Sequence, residues 1–390
     1  MRVEPVTGAK AQADFVDLPW RIYAGDPAWV PPLKSDMRTQ MSPRKNPFQG
    51  EALIEHFLAY DERSQPVGRV AATVYPRPGA PGWDGQGAFG FFECVDDVAV
   101  ARALLGAAEG WLAAHGCARV SGPYSYCATQ ESGLLIDGFE TRPTLFQTHN
   151  PPYYQRLLRD CGYGVKYRAT TYDYTAAGFA TSAGGRRGGG KGKAALIDSF
   201  LRRRGDMLAE RLKLTVRPLD KRHYARDMEI IRNLLNASFA GNEGVLPVSE
   251  EVFRFQTEQL KPFVDPSIIT IVERDGTPIA FSMLVPDLNP LLVEMNGKLR
   301  WRILLTLKRR LRALDTAVVL LMGALPERDS AGMSQLLVGE FVAAAGRGNY
   351  RRVATTWVHE DNAIIHKYAR LLDGVPVKRY AIVTRAIGSA

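Results

Sequence analysis

Two distant stretches of this chain carry the same order of features. Asn150, Leu157-Leu158, Gly162 and Lys166 are echoed by Asn362, Leu371-Leu372, Gly374 and Lys378, and Pro66-Val67-Gly68 is echoed by Pro278-Ile279-Ala280. Each echo sits in a similar series of elements. The first runs from a hairpin over 56–75 through a strand at 88–93, a helix over 99–115 stopped by Gly116 and a strand from 119. After an extended stretch at 144–148, Asn150-Pro151-Pro152-Tyr153-Tyr154 opens a helix, with proline tolerated in its first turn, and 166–174 closes the series. The second has a hairpin over 268–285 with Asp275-Gly276 in its turn, then strand, helix, strand, helix and a last strand at 377–383. Repeated order of this kind implies two copies of one α/β unit, each with a mixed sheet. The expected domains are residues 1–177, a connector over 178–213 and residues 214–390. The connector begins GFATSAGGRRGGGKGK, too glycine-rich to hold one backbone conformation, and continues as a basic helix.

Residues 317–349, AVVLLMGALPERDSAGMSQLLVGEFVAAAGRGN, are the most informative part of the second copy. An apolar run ends at Gly323-Ala324-Leu325-Pro326, a turn of small residues follows, and a helix carries Leu336, Leu337, Phe341 and Val342 on one face. A small-residue loop that opens a helix aims free backbone N–H groups at one anion, and pyrophosphate is the usual guest.

This order of strand, loop and helix resembles the Gcn5-related N-acyltransferases (GNAT). Leu325-Pro326-Glu327 matches the proline element that ends the family's signature strand. Gly332 falls on the first glycine of the Q/R-x-x-G-x-G/A loop, and Ser334 stands at the second. Asp329 takes the leading position, with Arg328 one residue early. Asn362 matches the asparagine that opens the family's next helix. The family's tyrosine, which protonates the leaving thiolate, falls on Ala369, with Tyr368 about 100° away around the helix. The resemblance implies that Met322, Gly323, Ala324 and Leu325 bind the pantetheine arm of an acyl-CoA co-substrate. It implies that Arg328, Ser330, Ala331, Gly332, Met333 and Ser334 take its phosphates, and that Asn362 supports it. Across the whole chain, Gly90-Phe91-Phe92-Glu93-Cys94, Gly122-Pro123 and the Asn-Pro-Pro-Tyr-Tyr run resemble a widespread group of bacterial GNAT-like proteins. Some GNAT-like proteins of this general size are tied to ceramide formation.

In the first copy the equivalent loop, Glu93-Cys94-Val95-Asp96-Asp97, has no glycine and three acids. Carboxylates occupy the place that a pyrophosphate needs, so the first copy is expected to serve the acceptor. Acyl transfer to an amine requires a base for the nitrogen, a polarised carbonyl and alignment of the two substrates. The candidates for proton transfer are Glu131 and His149, then Glu93. Tyr153, Tyr154 and Tyr368 are candidate acids or acceptor contacts.

The net charge of +9 is concentrated. Residues 186–213 hold nine Lys/Arg against three acids, and 298–312 hold seven cations and no acid, leaving the remainder slightly acidic. Leu299, Ile303, Leu307 and Leu311 recur at helical spacing between those seven cations, the pattern of a helix that lies in an anionic membrane interface. With little aromatic interleaving, nucleic acid is the less favoured partner. Four cysteines without metal-ligand spacing suggest reduced thiols and no metal. The start of the chain has no apolar signal segment, and no apolar run is long enough to span a bilayer. The expectation is therefore a cytoplasmic tandem acyltransferase, peripheral on the inner face of the membrane. It would transfer an acyl group from CoA to a primary amine, with a long-chain or sphingoid-type amine as the sharpest guess. The alternatives are a non-catalytic pair that binds membrane or nucleic acid through its basic surfaces, and aminoacyl-tRNA-dependent transfer on a related twin fold.

Overall fold

The computed structural model describes residues 1–75, 83–126, 130–175, 203–242, 245–326, 330–348 and 350–388. The first half begins with β1 (Arg2–Pro5), α1 (Gly8–Asp17), α2 (Pro19–Ile22), α3 (Lys34–Gln40) and α4 (Phe48–Glu51). Then come the hairpin β2 (Leu53–Tyr60) and β3 (Pro66–Val74), β4 (Gln86–Cys94), α5 (Val98–Ala114), β5 (Arg119–Gly122), β6 (Leu134–Asp137), α6 (Tyr154–Asp160) and β7 (Gly164–Thr175). The second half has α7 (203–211), β8 (Leu214–Pro218), α8 (Tyr224–Phe239), α9 (Glu250–Leu260), β9 (Ile269–Arg274) and β10 (Thr277–Pro286). It continues with α10 (Asn289–Met295), α11 (Trp301–Arg312), β11 (Thr316–Ala324), α12 (Ser330–Arg347), β12 (Arg352–Thr355), β13 (Val358–His359), α13 (Ala363–Leu371) and β14 (Val375–Ala386). The expected extended stretch at 144–148 forms no strand. The linker over 178–193 lies outside the described residues.

Local chemistry explains these elements. Helix α5 buries Val100, Ala101, Leu104, Leu105, Ala108 and Leu112, one face of a 3.6-residue repeat, and Asp97 caps it by accepting from the Ala99 N–H. Gly68 and Gly87 let this helix lie close on the sheet, since a Cβ at either would come within 2.5 Å of Leu104 or Leu112. The β9–β10 turn places Asp275 and Gly276 at φ 49° and 77°, as a two-residue hairpin requires.

Twelve strands lie in the order β1-β2-β3-β4-β5-β14-β7-β12-β11-β10-β9-β8, with β6 on β14 and β13 on β7. The order is symmetric: β1 to β5 correspond to β8 to β12, and β7 to β14. Among the described residues the one parallel pair in each half is the fourth strand with the fifth, β4 with β5 and β11 with β12. The last strands are exchanged. Strand β7, expected to close the first copy, pairs with β12 of the second, and β14 pairs with β5 of the first. The β7–β14 ladder, from Gly164↔Thr384 to Asp173↔Val375, is the seam. One apolar cluster crosses it, packing Phe48, Tyr124, Tyr126 and Leu145 with Met228, Ile231, Val252 and Met283. The halves therefore share a core and a sheet.

Candidate active site

Strands β11 and β12 pair only over Thr316–Val319 with Arg352–Thr355 and then part. A bulge marks the parting. Met283 faces Leu321 and Leu284 faces Val319, which leaves Leu320 over. Beyond it β11 remains bonded to β10, while the opposite edge of Leu321–Ala324 has no strand partner among the described residues and lines a cavity. Met322, Gly323, Ala324, Leu325 and Ser334 all border this opening, and Asn362 and Tyr368 face it from the far side. Leu325 N–H is already used, donating to Ile279 O at 2.9 Å.

Asn362 caps α13, accepting from Ile365 N–H at 3.1 Å, as expected for a residue that opens a helix. Ala369, the position of the family's tyrosine, is fully buried in the core with Tyr174 and Phe341. Tyr368, one residue away, is the side chain that borders the cavity, and burial raises its pKa. Two loop residues also pack against the protein. Met333 is buried against Leu208, Val272 and Ile279, and a Cβ at Gly332 would lie 2.8 Å from Leu208 Cδ2, so both fasten α12 to α7. Only their backbone remains for an anion. Arg328 lies outside the described residues. Ser330 and Ala331 form the first turn of α12.

The corresponding gap in the first half is filled by the chain itself. Strands β4 and β5 pair over Gln86–Ala88 and Arg119–Ser121 and part at a bulge around Phe91. Residues 123–126 then run along the exposed edge of β4. Tyr124 N–H donates to Phe89 O at 2.8 Å, Tyr126 packs on Phe91 at 4.7 Å, and a Cβ at Gly90 would sit 1.5 Å from Tyr124 O. The acids before α5 are also engaged, Asp97 as its cap and Asp96 with Arg156.

The second-half opening and the first-half wall border one cavity of about 1560 Å³, larger than the roughly 300–1,000 Å³ of a small-molecule pocket. Glu131 is exposed where it borders the cavity, and desolvation by the surrounding protein pushes its pKa up to about 7. No carboxylate or cation partner of Glu131 is found among the described residues. His149 also borders the cavity. Its Nε2 lies 2.7 Å from Asp26 Oδ2, and its Nδ1 is buried without a partner. Burial lowers the His149 pKa, and Asp26 opposes that. Burial also acts to raise Asp26, but the bonds from His149 and from Ala28 N–H outweigh it and hold Asp26 low. An ionised Asp26 fixes the proton on Nε2 and leaves a lone pair on Nδ1. Residues 148 and 149 are braced by Thr148 Oγ1 donating to Gly133 O at 2.7 Å and by Tyr380 OH donating to Thr148 O at 3.0 Å, so Glu131 and His149 stand on neighbouring segments.

Glu93 differs from both. Its carboxylate accepts from Tyr23 OH at 2.9 Å and Tyr154 OH at 2.8 Å and lies 3.5 Å from Arg69, all buried. Burial raises its pKa, and Arg69 and the two hydroxyls oppose the rise. A carboxylate with its lone pairs so engaged holds neighbours in place. Tyr154 is committed to it and also accepts from Cys94 N–H. Tyr153 donates to Cys94 O at 2.8 Å and does not border the cavity. Sequence reasoning missed Asp26, which lies far from His149 in the chain, and Arg69, which directly faces Glu93 across β3 and β4.

The fold is that of the tandem GNAT proteins. A solved tandem GNAT protein from the clavulanic acid biosynthesis pathway superposes over 100% of both chains with a TM-score of 0.57 at 13% identity. Two curated proteins resemble the chain along nearly its whole length. Protein YghO of Escherichia coli (strain K12) is 29% identical over 387 residues, covering 96% of this chain and 92% of that one. Bacterial ceramide synthase of Caulobacter vibrioides (strain NA1000 / CB15N) is 27% identical over 397 residues, covering 99% and 98%. No family model matches. Among the described residues no helix is long and apolar enough to cross a membrane.

Proposed function

We propose that this protein is an N-acyltransferase that moves an acyl group from a CoA thioester to a long-chain primary amine of the sphingoid type, in the cytoplasm at the inner face of the membrane. One observation carries the reading: the open edge of β11 and the isolated carboxyl of Glu131 border the same cavity, while the equivalent gap in the first half is filled by residues 123–126. Residues 214–390 hold the thioester, with its pantetheine arm along Met322–Leu325 and its phosphates at the start of α12. Residues 1–177 shape the acceptor side. A relative named for ceramide synthesis supports a lipid acceptor, since a ceramide is the amide of a long-chain amine.

In this mechanism the amine gives a proton to Glu131, whose pKa near 7 suits a base at neutral pH. The nitrogen bonds to the thioester carbonyl, the carbon–sulfur bond breaks, and the thiolate takes a proton from Tyr368. Burial keeps that hydroxyl protonated at neutral pH. Asp26 holds the His149 ring in place where it borders the acceptor side of the cavity. The test is to incubate the protein with palmitoyl-CoA and a long-chain amine and to follow thiol and amide together. One free thiol per amide formed is expected. Thiol release at the same rate without amine, or no amide at all, refutes the reading.

A further inference from the structure

The sequence suggested that Leu299, Ile303, Leu307 and Leu311 meet a membrane, but the last three, those within α11, pack on the protein. Ile303 is 2% exposed and packs with Leu291 and Met295 of α10, with Leu307 and Leu311 beside it. The outward face is a different one. Trp301 (65% exposed), Arg302, Leu305 (77% exposed), Lys308, Arg309 and Arg312 are all exposed and fall within an arc of about 120°. Arg310, off this arc, pairs with Glu294, whereas the four cations on it have no carboxylate partner among the described residues. Arg302 stacks on Trp301, its guanidinium carbon 5.4 Å from the ring centroid. Two large apolar side chains, one helical turn apart, thus stand together among these cations.

The helix is firmly seated. The turn before it is tied to the first half, with Trp20 Nε1 donating to Asn296 Oδ1 at 3.0 Å and Lys34 N–H donating to Gly297 O at 3.0 Å. Its inner side is part of the cavity wall: Leu307 lines the cavity, and so does Leu299 in the turn before it, itself 57% exposed.

We infer that the outward face of α11 docks on an anionic phospholipid surface, with Trp301 and Leu305 in the interface and Arg302, Lys308, Arg309 and Arg312 among the headgroups. The charge complementarity, the central tryptophan and leucine, and the firm seating of the helix carry the docking itself. Its purpose, to bring the cavity wall at Leu299 and Leu307 to the bilayer so that a lipid amine or acyl chain enters from it, rests on the acyl-transfer reading.

The test is flotation of the full chain with phosphatidylcholine vesicles, with and without phosphatidylglycerol, at low and high salt. The wild type should float with the anionic vesicles alone and release at high salt. Each cation near an anionic surface is worth about fivefold in partition, so K308A/R309A/R312A should bind about a hundredfold more weakly. W301S/L305S should lose roughly tenfold or more, a loss that a purely electrostatic contact does not show. Both variants should melt like the wild type. Wild-type protein that ignores anionic vesicles overturns the inference. So does a W301S/L305S variant that floats unchanged, or tighter binding to single-stranded RNA than to the vesicles. Protein that floats as expected but forms no amide sinks the acyl-transfer reading and leaves the docking face standing.

Discussion

Replacing Glu131 by glutamine should stabilise the protein at alkaline pH while removing its activity, a combination that a paired structural carboxylate does not give. Burial raises the Glu131 pKa from 4.5 to about 7. At about 1.36 kcal/mol per pH unit that rise corresponds to about 3.4 kcal/mol for a carboxyl cut off from water. Glu131 opens into the cavity, and solvent screening there reduces the figure to about 1–2 kcal/mol. Because the folded-state pKa is the higher one, this contribution is fully present below the unfolded pKa and is lost as pH rises through 7. Urea unfolding from pH 4.5 to pH 8 should therefore show the wild type losing about 1–2 kcal/mol that E131Q retains. The wild-type kcat/KM should rise through a group ionising near 7. E131Q should lose that limb and about 10²- to 10⁴-fold in rate. A stability difference that stays flat with pH, or an E131Q that is weaker than the wild type at pH 8, refutes the assignment.

Four other perturbations separate the two halves. Gly90→Ala puts a Cβ 1.5 Å from a backbone oxygen that cannot move aside and should abolish soluble folded protein. Gly332→Ala meets only the flexible end of Leu208 and should cost about 1 kcal/mol in urea unfolding. Asn362→Ala removes the α13 cap and should cost about 1 kcal/mol, with a smaller thermal shift on adding CoA than in the wild type. Asp26→Asn frees the His149 ring and should lower kcat by about tenfold to a hundredfold while CoA-induced stabilisation is unchanged; equal loss of CoA binding would assign the pair a purely structural role.

Much of the fold is legible in the sequence because each unit obeys local rules. The period of Val100 to Leu112, the Asp275-Gly276 turn and the strand at 317–322 all appear where the pattern puts them, and the tandem fold follows from their repeated order. What fails is contact between distant segments. Strands β7 and β14 have equivalent settings in the two units, so nothing local says that they trade places. The leucine face of α11 is amphipathic by spacing, but whether it meets lipid or protein depends on α10, which covers it. In the site, glycine content is the sequence difference between the loop before α12 and the acidic loop before α5. The plug at 123–126 was hidden, since its effect comes from where a backbone runs and not from side-chain type. The Asp26–His149 bond joins two loops whose meeting no periodicity encodes.

If the open edge of β11 is the thioester site, only the second half should accept the ligand. Hydrogen exchange of the whole chain with and without palmitoyl-CoA tests it most directly. Binding should slow exchange at 320–326 and in the first turn of α12, where the backbone N–H groups meet the ligand, and leave 89–98 unchanged. Protection at 89–98, or none at 320–326 when the ligand is saturating, would contradict it.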